Sequence, residues 1–370
     1  MLAQANNDGD EIPMSLLDTT AYLVCTLLLL VVGALGNLLL IGSVLTFKKL
    51  RSVNNIFIFN LVLADCVSLV LLDIFSIIGI VHRGQGLLNY GSRFCKVISY
   101  FYLSAMLCSV WSLASCAVHI YIRVCHKSLY KVVYTAQSVT VMVFWVWTLC
   151  PMIVLPSMMG WGSHGYDARL MHCTYDYTAS SSFTLFLLAL GFWLPFSVVA
   201  FCIIRTFVVL RAKQIEIHPN LPDSPTPSLG LAHEGIGNNH LHSPIDVDPD
   251  ALSIRAPTTP QLEDMTSHDT HILWAVMAVS LYLAIGWGTM SIIWFLDRPK
   301  QWEATEFVFV MLVAHSPSSI NGIIYAMVNK NFRVAYLSII MSCKRCKKEV
   351  LDVELQAIGD PPFVPGRDGK

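Results

Sequence analysis

Asp65 is an ionisable side chain inside an apolar run, Asn60-Leu61-Val62-Leu63-Ala64-Asp65. A carboxylate in hydrocarbon is costly, and such residues mark ion paths, proton relays or buried hydrogen-bond clusters. Asn37, in Gly36-Asn37, is a second polar group in an apolar run and stands to bond toward Asp65. The chemistry these residues offer is binding rather than turnover. No Gly-rich phosphate loop and no metal-spaced set of His and Cys occurs, and the intramembrane carboxylates stand singly rather than in pairs. An enzyme is not indicated.

The elements that carry these residues follow from composition. With 55% hydrophobic and 13% charged residues in 370 and a mean hydropathy of +0.58, the chain belongs in a bilayer. Stretches long enough to cross roughly 30 Å of hydrocarbon as helices occur at about 21–47, 56–81, 94–124, 139–159, 183–210, 272–295 and 307–327. The reading is an all-α membrane protein, a seven-transmembrane helix bundle over 19–330. Past Tyr325, Val328-Asn329-Lys330-Asn331-Phe332-Arg333 opens a short amphipathic eighth helix at 331–342. A tail follows over 343–370.

Lys48, Lys49 and Arg51, then Arg123, Lys127 and Lys131, then Arg211 and Lys213, then Lys344, Arg345, Lys347 and Lys348 fall after alternate spans. Basic residues collect on the cytoplasmic side, which puts the acidic segment 1–18 outside and makes the protein multi-pass. Residues 214–267, rich in Pro, Ser, His and Asp, read as a disordered third inner loop. Its Ser and Thr residues beside Pro could accept phosphate, with an unmodified linker as the equal alternative. Cys343 and Cys346 lie in a basic patch suited to palmitoylation of membrane-proximal thiols, or stay unmodified. The near-neutral net charge of -1 offers nothing to nucleic acid.

Leu50-Arg51-Ser52-Val53-Asn54-Asn55 ahead of Asp65, Trp193-Leu194-Pro195, Trp287, and Asn321-Gly322-Ile323-Ile324-Tyr325 together resemble rhodopsin-like G protein-coupled receptors. Asn55-Ile56-Phe57, Asn329-Lys330-Asn331-Phe332-Arg333 and the replacement of the usual proline by Gly322 resemble the melatonin-receptor-like branch. The resemblance implies a plasma-membrane receptor with an extracellular ligand, surrounded by membrane lipids and working through a heterotrimeric G protein, with arrestin left open. It implies a disulfide between Cys95 and Cys173 that pins the second outer loop over the ligand entrance. It also implies that Asp65, Ser109, Ser318 and Asn321 hold an allosteric sodium ion; the alternative is an uncharged, water-bridged cluster. No cofactor is required.

Departures from that family fall on its activation elements. His119-Ile120-Tyr121 stands where the family places an Asp-Arg-Tyr or Asn-Arg-Tyr motif, so the arginine position is Ile120, and Arg123 lies one turn further on. Ile203 replaces a fifth-span tyrosine, and Gly286-Trp287-Gly288-Thr289 lacks the usual proline. Coupling through other contacts, with Tyr121 and Tyr325 retained, and an atypical receptor or membrane scaffold with little coupling are the two expectations. Tyr102 occupies the site where amine receptors carry an aspartate, which leaves a protonated amine without a counterion on the third span. His315 takes the place of the opsins' retinal lysine. Tyr102, Met106, Trp287, Met290, Trp294, Met311 and His315, under a lid over 173–177 that includes Tyr175, are the expected pocket walls; they suit an apolar or lipid-like small molecule, with a peptide as the alternative. Tyr177 and Gly191 stand where melatonin receptors have polar ligand contacts, so melatonin is not the expected ligand.

Overall fold

A computed structural model describes residues 14–51, 53–82, 91–217, 259–296 and 302–341. Seven helices long and apolar enough to cross a membrane lie among them: Leu16–Thr46, Asn55–Val81, Arg93–Cys125, Gln137–Met158, Ser181–Ala212, Leu273–Leu296 and Ala304–Val328. Where helices span a bilayer every backbone polar group is satisfied within the segment, which is why apolar runs of this length take no other form. The third span is the most enclosed, with 78% of its most apolar window buried. It packs against the second, fourth and fifth spans.

Local chemistry sets the boundaries. Ser15 caps the first span, its Oγ accepting from the Asp18 amide (3.1 Å) while donating to the Asp18 carboxylate (2.8 Å). This helix starts at Leu16, so the external segment expected over 1–18 ends about three residues sooner. Thr135 caps the fourth span through the Ser138 amide. The second span contains a π turn at Val70–Ile74 and the fifth another at Ala189–Trp193, just before Pro195. The seventh is interrupted at Ser316, where Pro317 begins the helix Pro317–Val328 without an amide to donate. Its proline is therefore five residues before Gly322.

One expectation needs correction. The fifth-span helix runs on to Ile217, and the sixth-span helix begins at Thr259, so the stretch expected to be disordered is helical at 214–217 and 259–267. Extending a formed helix is cheap, whatever the side chains' polarity. The rest of that loop, with Cys343 and Cys346, lies outside the described residues. The bundle also carries a small β-hairpin, β1 (His164–Asp167) and β2 (His172–Tyr175), antiparallel with His164 opposite Tyr175. The amphipathic helix is Lys330–Met341.

Candidate functional site

Asp65 is fully buried midway along the bundle. Ser109 donates to its Oδ1 (2.7 Å), and Asn321 Nδ2 donates to its Oδ2 (2.7 Å). Ser318 stands beside the carboxylate. The four residues expected around sodium thus converge, drawn from the second, third and seventh spans. Asn37 does not reach Asp65; its Nδ2 donates to the Ser318 carbonyl instead (3.0 Å), fixing the first span to the seventh. Below, Trp147 and Asn60 bond side chain to side chain (2.6 Å), and Asn60 donates to Ser112 (2.6 Å).

Two turns toward the hairpin end lies a residue the sequence reading passed over. Asp73, 5% exposed, lines a cavity of about 10 Å³ with Ser68, Leu69, Leu72, Tyr102, Met106, His315 and Ser318. That volume holds about one water. Asp73 is eight residues beyond Asp65, which on a regular α-helix leaves the two about 80° apart. The π turn absorbs one extra residue, bringing them to within about 20°. An ionisable residue in Val70-Leu71-Leu72-Asp73-Ile74 was the available signal. Asp73 lines the same cavity as Tyr102, so the second span brings a carboxylate to the site where the third span has none.

Above the cavity the expected wall residues pack on one another. The His315 ring meets Tyr102 (centroids 5.6 Å) and Trp287 (5.8 Å); Trp287 meets Trp294 (6.3 Å); Trp294 meets Tyr175 (5.6 Å) and stacks on Tyr177 (6.0 Å). Phe192, which the sequence reading did not single out, stacks on Trp287 at 4.3 Å. Met106 lines the cavity, whereas Met290 and Met311 are buried in the surrounding core and do not.

The hairpin closes this end. Cys95 and Cys173 are disulfide-bonded with Cα atoms 5.2 Å apart. His164 is held between two serines: Ser157 donates to the Val154 carbonyl and so accepts from Nε2 (2.6 Å), while Ser99 lies 2.6 Å from Nδ1 and donates to it. The ring is neutral in this relay, and burial, with Lys96 nearby, pushes its pKa down to about 4. Arg169 pairs with Asp167 (3.1 Å), bonds the Tyr177 hydroxyl (3.1 Å) and lies 3.9 Å over the Phe307 ring. It latches the hairpin to the seventh span.

Residues 36–325 match the family described as 7 transmembrane receptor (rhodopsin family). The chain belongs to that family. It is 26% identical over 330 residues to melatonin receptor type 1A-A of Danio rerio, covering 87% of this chain and 82% of the relative. It is likewise 26% identical over 355 residues to melatonin receptor type 1A of Mus musculus, covering 94% and 86%. Against melatonin receptor type 1C of Xenopus laevis it is 26% identical over 330 residues, 88% of this chain and 68% of the relative. The protein is thus a rhodopsin-like G protein-coupled receptor of the melatonin-receptor-like branch, a multi-pass membrane receptor and not an enzyme.

At the opposite end of the receptor, His119-Ile120-Tyr121 is built into packing. His119, fully buried, meets the rings of Phe57 (5.8 Å), Tyr130 (5.4 Å) and Tyr134 (4.7 Å), and its Nε2 is 3.3 Å from the Tyr130 hydroxyl. Tyr130 belongs to the short helix Lys127–Val133. Ile120 is buried in the interhelical core, Tyr121 bonds His126 (3.0 Å), and Arg123 is half-buried. Tyr325 is buried, with no hydrogen-bond partner for its hydroxyl among the described residues.

Gly322 has a geometric reason. A Cβ there would lie 2.5 Å from the Gly36 carbonyl carbon and oxygen, and one on Gly33 would lie 2.9 Å from Ser319 Cα. The first and seventh spans approach backbone to backbone. Tyr336 of the amphipathic helix spans the seam, its hydroxyl within reach of the carbonyls of Gly322 (2.9 Å) and Gly36 (3.4 Å).

Proposed function

We propose that this receptor lies in the plasma membrane with its amino terminus and hairpin outside, binds a small, mostly apolar ligand beneath the hairpin, and signals to a heterotrimeric G protein. The orientation is supported by Lys48, Arg51, Arg123, Lys127, Lys131 and Arg211, which all follow spans at the end opposite the hairpin. The ligand site is supported by the cavity at Asp73 and Tyr102, the ring ladder above it and the latched hairpin. Ligand binding separates Tyr102, Trp287, Trp294 and His315, and the inner ends of the fifth and sixth spans move outward.

Asp65, Ser109, Ser318 and Asn321 suit a sodium ion. The carboxylate is buried and has no ion pair among the described residues, and Asn321 Oδ1 has no hydrogen-bond partner. A hard cation would supply the missing countercharge to this oxygen-rich set. Ser109 and Asn321 orient the carboxylate whether or not an ion is bound.

The observation that carries the coupling reading is the His119 ring cluster beside buried Ile120. At this end His119 and Ile120 are held by aromatic and aliphatic packing. Ile120 has no hydrogen-bond donor to offer a G protein, so Arg123, Tyr121 and Tyr325 remain to form the coupling face. The test is basal and ligand-screened G protein activation in cells, comparing the native chain, Ile120→Arg and Tyr325→Ala at matched surface expression, with an amino-terminal epitope stained on intact cells. Native activity lost in Tyr325→Ala supports the reading. Silence in the native chain with signalling in Ile120→Arg makes it a coupling-impaired receptor, and silence in both favours a scaffold.

A further inference from the structure

Three side chains lining the small cavity each carry a buried oxygen with no hydrogen-bond partner among the described residues: Asp73 Oδ2, the Tyr102 hydroxyl and Ser68 Oγ. Their residues are 5%, 3% and 3% exposed. Buried polar atoms in folded proteins are almost always paired, so three in one cavity are an unmet demand. Asp73 adds a second, for it has no ion pair among the described residues, and a lone carboxylate in a low-dielectric interior is strongly disfavoured. Asp65 does not share the problem to the same degree, since both its oxygens are occupied by Ser109 and Asn321.

From this geometry we infer that the cavity receives the protonated primary amine of the receptor's ligand. A primary ammonium brings three donors and no acceptor, and the site presents three oxygens that accept. It brings the positive charge that Asp73 lacks. Its head is about the size of the single water the cavity holds. The remaining lining also suits an alkylammonium: Leu69, Leu72 and Met106 offer apolar neighbours to the adjoining methylenes. The ligand's body then lies toward the hairpin, among His315, Trp287 and Trp294, which favours an aromatic ring one or two carbons from the nitrogen. This inference rests on the ligand site proposed above and names the chemistry it selects.

The test measures binding alone, so that it stands apart from coupling. Full-length receptor is purified and its thermal unfolding followed with phenethylamine and tryptamine, and with phenylethanol and tryptophol, which keep the ring and replace the ammonium by a hydroxyl. The amines raise the unfolding temperature in a concentration-dependent way and the alcohols do not. Asp73→Asn removes the amine shift, and Tyr102→Phe and Ser68→Ala each weaken amine affinity at least about tenfold; these two keep the test decisive if Asp73→Asn does not fold. Equal shifts from amines and alcohols, an amine shift that survives in Asp73→Asn, or no shift from either amine overturns the inference. An amine that binds while no G protein responds leaves it standing and refutes only the coupling reading.

Discussion

Substituting Gly322 by alanine has opposite expected effects depending on what governs this position. Helix propensity alone stabilises an interior Gly→Ala change by about 1 kcal/mol. The seam between the first and seventh spans reverses that. The added methyl would sit 2.5 Å from the Gly36 carbonyl carbon and oxygen and 2.9 Å from its Cα, against about 3.5–4.0 Å for relaxed contact between carbons. The obstacle is backbone, so the helices must part by about 1 Å over the contact. Overpacking of this kind costs about 1–3 kcal/mol. Parting the seam also strains the Tyr336 hydrogen bonds, worth about 1 kcal/mol. After the propensity gain the net loss is about 1–3 kcal/mol. Thermal unfolding of purified receptor, read by a thiol-reactive dye on the buried free cysteines, gives the comparison. Two controls sharpen it: a Cβ on Gly36 meets Gly322 Cα at an ordinary 3.6 Å, and one on Gly288 meets nothing within 4 Å. Gly322→Ala should melt several degrees lower, while Gly36→Ala and Gly288→Ala, which gain helix propensity without a clash, do not fall. A Gly322→Ala protein as stable as Gly288→Ala would refute the close-approach argument.

Acid should loosen the hairpin. Burial holds the His164 pKa down to about 4, below the ordinary 6.5 expected of the unfolded chain, so its contribution is intact above about pH 6.5 and fades as pH falls toward 4, by about 3 kcal/mol. Burial lowers the His172 pKa as well, adding in the same direction. His164→Gln should flatten the fall in unfolding temperature between pH 7 and pH 4.5, and an unchanged slope would discount the serine relay. Tyr336→Phe removes only the hydroxyl at the seam and should cost about 1 kcal/mol, read by the same thermal assay. His119→Ala strips three ring contacts, each worth about 0.5–1.5 kcal/mol; in the coupling assay it should raise basal activity relative to the native chain, and lower or unchanged activity at matched expression would count against an aromatic closure. Cys173→Ser, which opens a loop closed across a sequence separation of 78, should destabilise by about 2–4 kcal/mol.

What could be read in advance divides by the range of the interaction concerned. Seven spans follow from hydrophobic length alone, because lipid leaves the backbone no alternative. The meeting of Asp65 with Ser109 and Asn321 was legible through motif positions on three regular helices. Asp73 was not, because its facing depends on a π turn, and the run Val70-Leu71-Leu72-Asp73-Ile74 carries no proline or glycine to announce one. Gly322 registered as a departure from the family, but its cause is the Gly36 backbone 286 positions earlier in the chain, a contact no local pattern encodes. Pro317 was visible and went unused; the structure shows that it starts a new helical segment of the seventh span directly after the break at Ser316. The pocket walls were recognised by type, while their mutual stacking depends on rotamers and helix crossings that composition does not determine.

Tyr336 has one proton and two carbonyls within reach, one on each side of the seam between the first and seventh spans. When the two helices shift against each other, the hydroxyl can follow only one of them, and the amphipathic helix that carries it must turn accordingly. The membrane-surface helix is then a gauge of the bundle interior. A spectroscopic label on its exposed residue Leu337 or Ile340 would register rearrangement around Gly322 and Asn321 from outside the core, without a reporter in the ligand cavity or on the face that meets the G protein.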